Sequence, residues 1–548
     1  MLSEVPHART FDLGRWGALL CAAAALAVTW PTIAGVFLFD DAPVVRDNAL
    51  LAAGRIGAFF GGNVFGAGDG DVLYRPLLLL SLWVDRALFG LHAAPMHAVN
   101  VALHALSAAL LFAVARRLVD DARAALACAL IFAVHPVHLD AVAFVINRSE
   151  LLAVVFLLGG VRLLLCDAVW RAWLGDAAGD TTARSTARTA LLVAAAALAL
   201  LAALLCKETA AGALAALAVV LAIRTAQKLR AGERLLPPPS VLLGLAAFAA
   251  AFAAYLALRH AALGTLAGGA GAAWISDRRP AVLVPTIARI FADYVRLVVV
   301  PWPLRVDYSD FALSTTLLDP RALVAYALHA VVLAASLSLA RRRPNAAVAL
   351  LGFYAALLPV SHLIPFREIE AERFLYLPSV FACGLALLVR PTRALWLVVA
   401  LYGLVCFAES THFHSAGALW STMAERAPGN AKIQYNLGTT WFEAGRCDLA
   451  VAPLESAVRL EPGYAHAWTN LGECRAAVGD DEGAGRALDV AARLDGVNPR
   501  AWRNLTAYRA LHGDLDGARQ ALDRARRLAP DEPRNRTLQE LIDRRAPP

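Results

Sequence analysis

The chain has 548 residues, 59% of them hydrophobic and 17% charged, with a formal charge of +7. An ordinary soluble domain is excluded, because the apolar residues gather in blocks of about 15–22, the length that crosses a bilayer. Basic residues flank those blocks and are not concentrated on one module, so nucleic acid is set aside as a partner.

In chain order, the N-terminus (Met1 to Arg15) is short and polar. The apolar run Gly17 to Phe39 is too long for a signal-peptide core and reads as a retained first span. It delivers Asp40 and Asp41 to the membrane surface, where charge is costly and is usually kept for function. Taken alone, such a pair more often marks an interface boundary than a catalytic site. From Asp41 to His97 runs a long outer loop with an amphipathic stretch, Leu77 to Phe89, suited to a helix lying in the interface.

Further spans are expected at 97–115, 124–146, 151–165, 189–206, 209–223, 241–258, 322–340, 346–364, 374–389 and 394–410, making eleven. Pro136 breaks the third where His135, His138 and Asp140 are presented, as tolerated where a broken helix lines a polar cavity. Over 284–300, Arg289, Asp293 and Arg296 form one polar helical face, which predicts an interfacial or re-entrant helix.

Basic clusters at Arg116-Arg117-Arg123, Arg184/Arg188, Arg224/Lys228/Arg230/Arg234, Arg341-Arg342-Arg343 and Arg390/Arg393 then share one side, cytoplasmic by charge bias. The N-terminus is cytoplasmic and the C-terminal part outside. Asp40-Asp41, Arg75, His135, His138, Asp140, Arg148, Lys207-Glu208, Asp307 and Glu368 to Arg373 all fall on the outer side. A polar loop layer with ordinary ion pairs would account for the same pattern. The eight cysteines show no metal-ligand spacing; Cys447 and Cys474 are disulfide candidates if their part of the chain is extracytoplasmic.

From Ala431 the sequence repeats every 34 residues. Asn436-Leu437, Asn470-Leu471 and Asn504-Leu505 are in register, as are Gly445, Gly479 and Gly513, and Ala450, Ala484 and Ala518. This resembles the tetratricopeptide repeat, two antiparallel helices per unit, here 431–464, 465–498 and 499–532. It departs from the pattern at Gln434, where Trp468 and Trp502 stand in later copies, and at Gly496, where proline is usual. The charged tail 533–548 is expected to cap the stack.

Ahead of the repeats, a series of short motifs runs in order through the chain. They are Asp40-Asp41 with Arg46 and Asn48, Tyr74-Arg75-Pro76-Leu77, His97 to Asn100, Leu103-His104-Ala105, Phe132 to His138, and Asn147-Arg148-Ser149-Glu150. Lys207-Glu208-Thr209, Asp307-Tyr308-Ser309, Leu358-Pro359-Val360-Ser361 and Ala371-Glu372-Arg373 to Pro378 complete the series. Together these motifs and the repeats resemble the transmembrane and tetratricopeptide-repeat O-mannosyltransferases, polytopic glycosyltransferases of the GT-C fold.

The resemblance implies an all-α chain: a membrane glycosyltransferase domain at 1–411 with about eleven spans, interfacial helices and an outer catalytic loop at 40–96. A linker at 412–430 leads to the repeat solenoid at 431–532. It also implies transfer of a hexose, mannose in the eukaryotic members, from a polyprenyl-phosphate carrier to Ser or Thr of a protein. The repeat array is shorter than in those members, which leaves the acceptor class open. The Ala/Arg-rich composition and compact loops point to a bacterial inner membrane and an undecaprenyl-like or decaprenyl-like carrier.

In that chemistry Asp40 or Asp41 is the general base for the attacking hydroxyl, with inversion at the anomeric carbon. Arg373, Arg148, Lys207 and Arg75 are the candidates for the departing phosphate. His135, His138, Glu372, Asp307 and Tyr376 complete the candidate substrate-binding set. Glu372–Arg373 also reads as a structural ion pair, and the histidines as packing groups. No metal or other cofactor is expected, because the leaving group is a lipid monophosphate and Asp40-Asp41 is not a D-x-D arrangement. The competing reading is a membrane-anchored scaffold whose repeats assemble envelope proteins. A transporter is disfavoured because no paired inverted halves are visible.

Overall fold

The structure, a computed structural model, describes residues 12–65, 73–174, 186–232, 237–266, 275, 277–364 and 368–546. Met1 to Phe11, and Arg184 and Arg234 of the basic clusters, lie outside them. Among the described residues every regular element is a helix. The chain divides into two units, Met1–Val306 with Phe311–His414, and Asp307–Asp310 with Ser415–Pro548.

The first unit is built on α1 (Leu13–Thr29), α2 (Pro76–Phe89), α3 (Ala93–Leu118), α4 (Ala122–Val134) and α5 (Arg148–Leu164). There follow α6 (Thr186–Cys206), α7 (Gly212–Arg230), α8 (Pro239–Leu263), α9 (Pro280–Val299), α10 (Pro320–Arg342), α11 (Pro344–Ala356), α12 (Pro378–Cys383) and α13 (Arg393–Ser410). The helix starts obey local chemistry. Asp12 and Asp121 cap α1 and α4 with their carboxylates, and proline opens α2, α8, α9, α10, α11 and α12, where its missing N–H costs nothing.

Among the described residues seven helices are long and apolar enough to cross a membrane, so this is a multi-pass membrane protein. The expected count of eleven is modified in four places. Two predicted spans are bent pairs, Ala122–Val134 with Pro136–Ala143 at 49° and Val145–Leu164 with Ala168–Leu174 at 117°. Two others are shorter apolar helices, Pro344–Val360 and Pro378–Leu388. The first bend lies at Pro136, whose ring cannot continue α4. The segment 284–300 falls in the helix α9, which is not among the candidate spans. Small residues set the close crossings: a Cβ on Gly17 would lie 2.1 Å from the Phe112 ring, and one on Gly244 2.2 Å from Trp170.

The second unit opens on a helix, Ala416–Arg426, inside the stretch predicted as a linker. Leu419, Trp420 and Met423 fall on one face and are buried, which is why the segment folds with this unit. The three helix pairs are Ala431–Glu443 with Cys447–Leu460, Ala465–Ala477 with Asp481–Leu494, and Pro499–Leu511 with Leu515–Leu528. Gly445, Gly479 and Gly513 turn each pair at positive φ, 71°, 86° and 85°. The indole N–H of Trp468 donates to the Pro462 carbonyl at 2.9 Å, and that of Trp502 to the Gly496 carbonyl at 3.0 Å. Gln434 reproduces the bond, its amide donating to the Pro428 carbonyl at 3.4 Å. Both departures from the repeat pattern therefore keep the same contact. Helix Arg534–Arg545 closes the stack, with Ile542, Leu538 and Leu541 on Ala510, Ala518 and Leu522. Cys447 and Cys474 share one core as neighbouring, unbonded thiols.

Candidate active site

Past α1 the chain turns sharply. Phe39 has a φ of +52°, a left-handed conformation costly for a non-glycine residue, and Asp40 and Asp41 follow it into a π-helical turn, Ala42–Arg46. Asp41 is fully buried. Its Oδ1 accepts the Ile146 N–H at 2.8 Å and its Oδ2 the Leu38 N–H at 3.4 Å. Burial pushes its carboxyl up to about 7 against the backbone N–H groups of Ile146, Val145 and Leu38, and the Asp40 charge adds to the rise. Asp40 is only half-buried.

Beneath Asp41, Arg148 opens α5 and is buried. Its Nη2 lies 2.6 Å from Asp85 Oδ2 on α2, its Nε donates to Asn100 Oδ1 at 2.8 Å, and its Nη2 donates to the Met96 carbonyl at 2.8 Å. The amphipathic α2 thus carries an inward carboxylate whose partner was not evident from the sequence. An acid on the apolar side of a helix was the available signal, since buried charges are paired.

Three cations meet beside this layer. Arg75, just before α2, makes a fork on Glu208 at 2.6 and 3.1 Å. Lys207, in extended conformation between α6 and the turn Glu208–Ala211, pairs with Glu150 at 2.9 Å; both side chains are buried. Arg373, in the turn Glu372–Leu375, holds Asp140 at 3.2 Å through Nη1 and also pairs with Glu368. The charges of the three cations are close enough to act on one another, and Glu150 acts on all three. Burial works against the Arg373 charge, yet Glu368, Asp140 and Asp40 more than offset it and hold the guanidinium above its ordinary value. Asp40, Arg75, Lys207 and Arg373 are therefore gathered from four distant stretches of sequence into one polar cluster.

Other candidates lie elsewhere. His135 and His138 are buried, and every ring nitrogen is engaged: His135 with the Val298 carbonyl and the Val137 N–H, His138 with the Phe132 carbonyl and Ser379 Oγ. His104 bonds the Tyr376 hydroxyl at 2.9 Å, and the His138 ring meets those of His104 and Tyr376 edge to face, forming one aromatic layer. Glu372 accepts the Arg305 N–H, so the Glu372–Arg373 ion pair considered from sequence is replaced by Arg373 with Asp140 and Glu368. Asp307 belongs to the second unit, where it pairs with Lys432 at 2.8 Å and accepts from Asn430 at 2.9 Å. Glu370, unremarked in the sequence, is buried facing Asp293; burial and that carboxylate raise it well above the usual range. Among the described residues no group of three His, Cys, Asp or Glu side chains is arranged to hold a metal ion.

No protein-family model matches the chain. It is 28% identical over 503 residues to Protein O-mannosyl-transferase TMTC4 of Homo sapiens, covering 80% of this chain and 65% of that one. The chain is thus similar to the transmembrane and tetratricopeptide-repeat O-mannosyltransferases. Protein O-mannosyl-transferase Tmtc2 of Drosophila melanogaster is 33% identical over 200 residues, 35% of this chain and 20% of the fly protein. The chain thus spans less than two thirds of the length of these relatives. The crystal structure of ArnT from Cupriavidus metallidurans bound to undecaprenyl phosphate aligns over 87% of this chain and 80% of its own, at 16% identity and a TM-score of 0.42.

Proposed function

We propose that the chain is a membrane glycosyltransferase that moves a hexose, mannose by its relatives' names, from a polyprenyl-phosphate carrier to Ser or Thr of a protein. The observation that carries this reading is the half-buried Asp40 within electrostatic reach of Arg373, with Arg75 and Lys207 beside it. Asp40 takes the proton of the attacking hydroxyl as the new glycosidic C–O bond forms. The bond from the anomeric carbon to the carrier phosphate breaks with inversion, and the phosphate leaves with its electrons. Arg373 stabilises that charge. Of its two carboxylate partners, Asp140 is buried and Glu368 is 35% exposed, so Glu368 is the one a phosphate displaces.

Asp41 acts through position: its two backbone bonds tie the strained turn to the segment before Arg148. His135, His138 and Tyr376 pack, and the solenoid gathers the acceptor. The transfer needs no metal or organic cofactor, and the setting proposed for it is a bacterial inner membrane with the N-terminus cytoplasmic and the repeats outside. The test is transfer from a polyprenyl-phosphate mannose donor to a Ser/Thr peptide by the purified full chain. Asp40→Asn should lower the rate by about 10²–10⁴ with the protein still folded. Wild-type rates from Asp40→Asn would remove Asp40 as the base.

A further inference from the structure

At the end of the first unit opposite the polar cluster lies a cavity of about 250 Å³. Along α3, Asn100 bonds Arg148 beside the cluster, and the cavity lining runs from Leu111 to Val119, about 17 to 29 Å farther on at 1.5 Å per residue. The lining is apolar, with Leu118, Leu157, Leu217, Val348 and Leu388 among it, and the one amide in it is Asn345. Water gains little in such a space, and a hydrocarbon chain fills it without loss.

The rim is cationic, and its two carboxylates, Asp120 and Asp121 just after the lining Val119, form no ion pair with Arg224. Arg224 of α7 stands one turn beyond the lining Val220. It spends its donors on neutral groups, Nη2 to Asn345 Oδ1 at 2.6 Å and Nη1 to Gln227 Oε1 at 2.9 Å, while its buried Nε has no partner. Arg341, Arg342 and Arg343, exposed just before Asn345, pair with no carboxylate among the described residues. At the opposite end Arg75, Arg148, Lys207 and Arg373 each have a carboxylate. A partly buried guanidinium bonded only to amides keeps its full charge for an incoming anion.

We infer that this is a binding site for an anionic phospholipid, one acyl chain in the cavity and the phosphate on Arg224. An acyl chain and a phosphate joined in one molecule match a dry cavity with a cationic mouth, and anionic headgroups are attracted to basic residues at membrane edges. The site is separate from the polar cluster, so it stands whether or not the chain transfers sugar.

The test is native mass spectrometry of the full-length protein in detergent, titrated with palmitoyl-oleoyl phosphatidylglycerol or with the phosphatidylcholine of the same chains. Wild type should retain the anionic lipid roughly fivefold better. Arg224→Gln should abolish the preference while leaving phosphatidylcholine retention unchanged. Ala216→Phe, which fills the cavity, should reduce retention of both. Equal retention of the two lipids by wild type overturns the assignment without needing any variant. So does an unchanged preference in Arg224→Gln, or preferential displacement of the phospholipid by a polyprenyl phosphate, which would make this a carrier site.

Discussion

Two adjacent aspartates meet different physical fates. Asp41 is withdrawn from water and fastened to backbone N–H groups, whereas Asp40 keeps access to the polar cluster. Folded protein holds the Asp41 proton up to about pH 7, while an unfolded aspartate releases it near pH 4. Between those values the native state binds more protons, so its stability is full below about pH 4 and falls as pH rises to about 7. A thermal-unfolding series in detergent should show that decline, and Asp41→Asn should flatten it. Arg373→Gln leaves buried Asp140 without its cation, and about 3–5 kcal/mol of stability should be lost in addition to activity. A variant that unfolds like wild type would mean Asp140 finds another partner.

The breaks between helices do the positioning. Lys207 and Glu208 sit where α6 ends and a short turn starts α7, so the chain reverses on the two residues the site uses. Gly212 makes that reversal possible, because a Cβ there would lie 2.4 Å from the Ala356 carbonyl at the end of α11. Gly212→Ala should push α7 away, cost roughly 1–3 kcal/mol and displace Lys207 from Glu150. Unfolding and sugar transfer measured together should fall in step; loss of neither would show that α11 yields. Pro136 has the same office on α4, ending the helix so that Asp140 lies on the short helix Leu139–Ala143 beyond it.

For the whole molecule, a membrane unit carrying the polar cluster is joined in one chain to a capped helical solenoid. On the proposed function, a chain lacking 431–548 should still bind the lipid donor but transfer to protein acceptors about tenfold more slowly, because the docked acceptor's effective concentration is lost. The scaffold reading expects the reverse, with cellular function abolished by truncation and untouched by Asp40→Asn. Measuring both variants separates the two.

Periodicity alone determined a good deal. Apolar blocks of bilayer length can only be helices that satisfy their own backbone, and a 34-residue repeat with small residues in register can only stack. The break at Pro136 and the glycine turns were likewise legible, because each depends on neighbours within a few residues. Pairing was not. That Arg148 takes Asp85, Arg373 takes Asp140, and Asp307 takes Lys432 depends on which helix ends meet in space. The tertiary structure alone decided that Asp41 is buried and Asp40 is not, since solvation is set by what packs around a carboxylate rather than by its place in the chain.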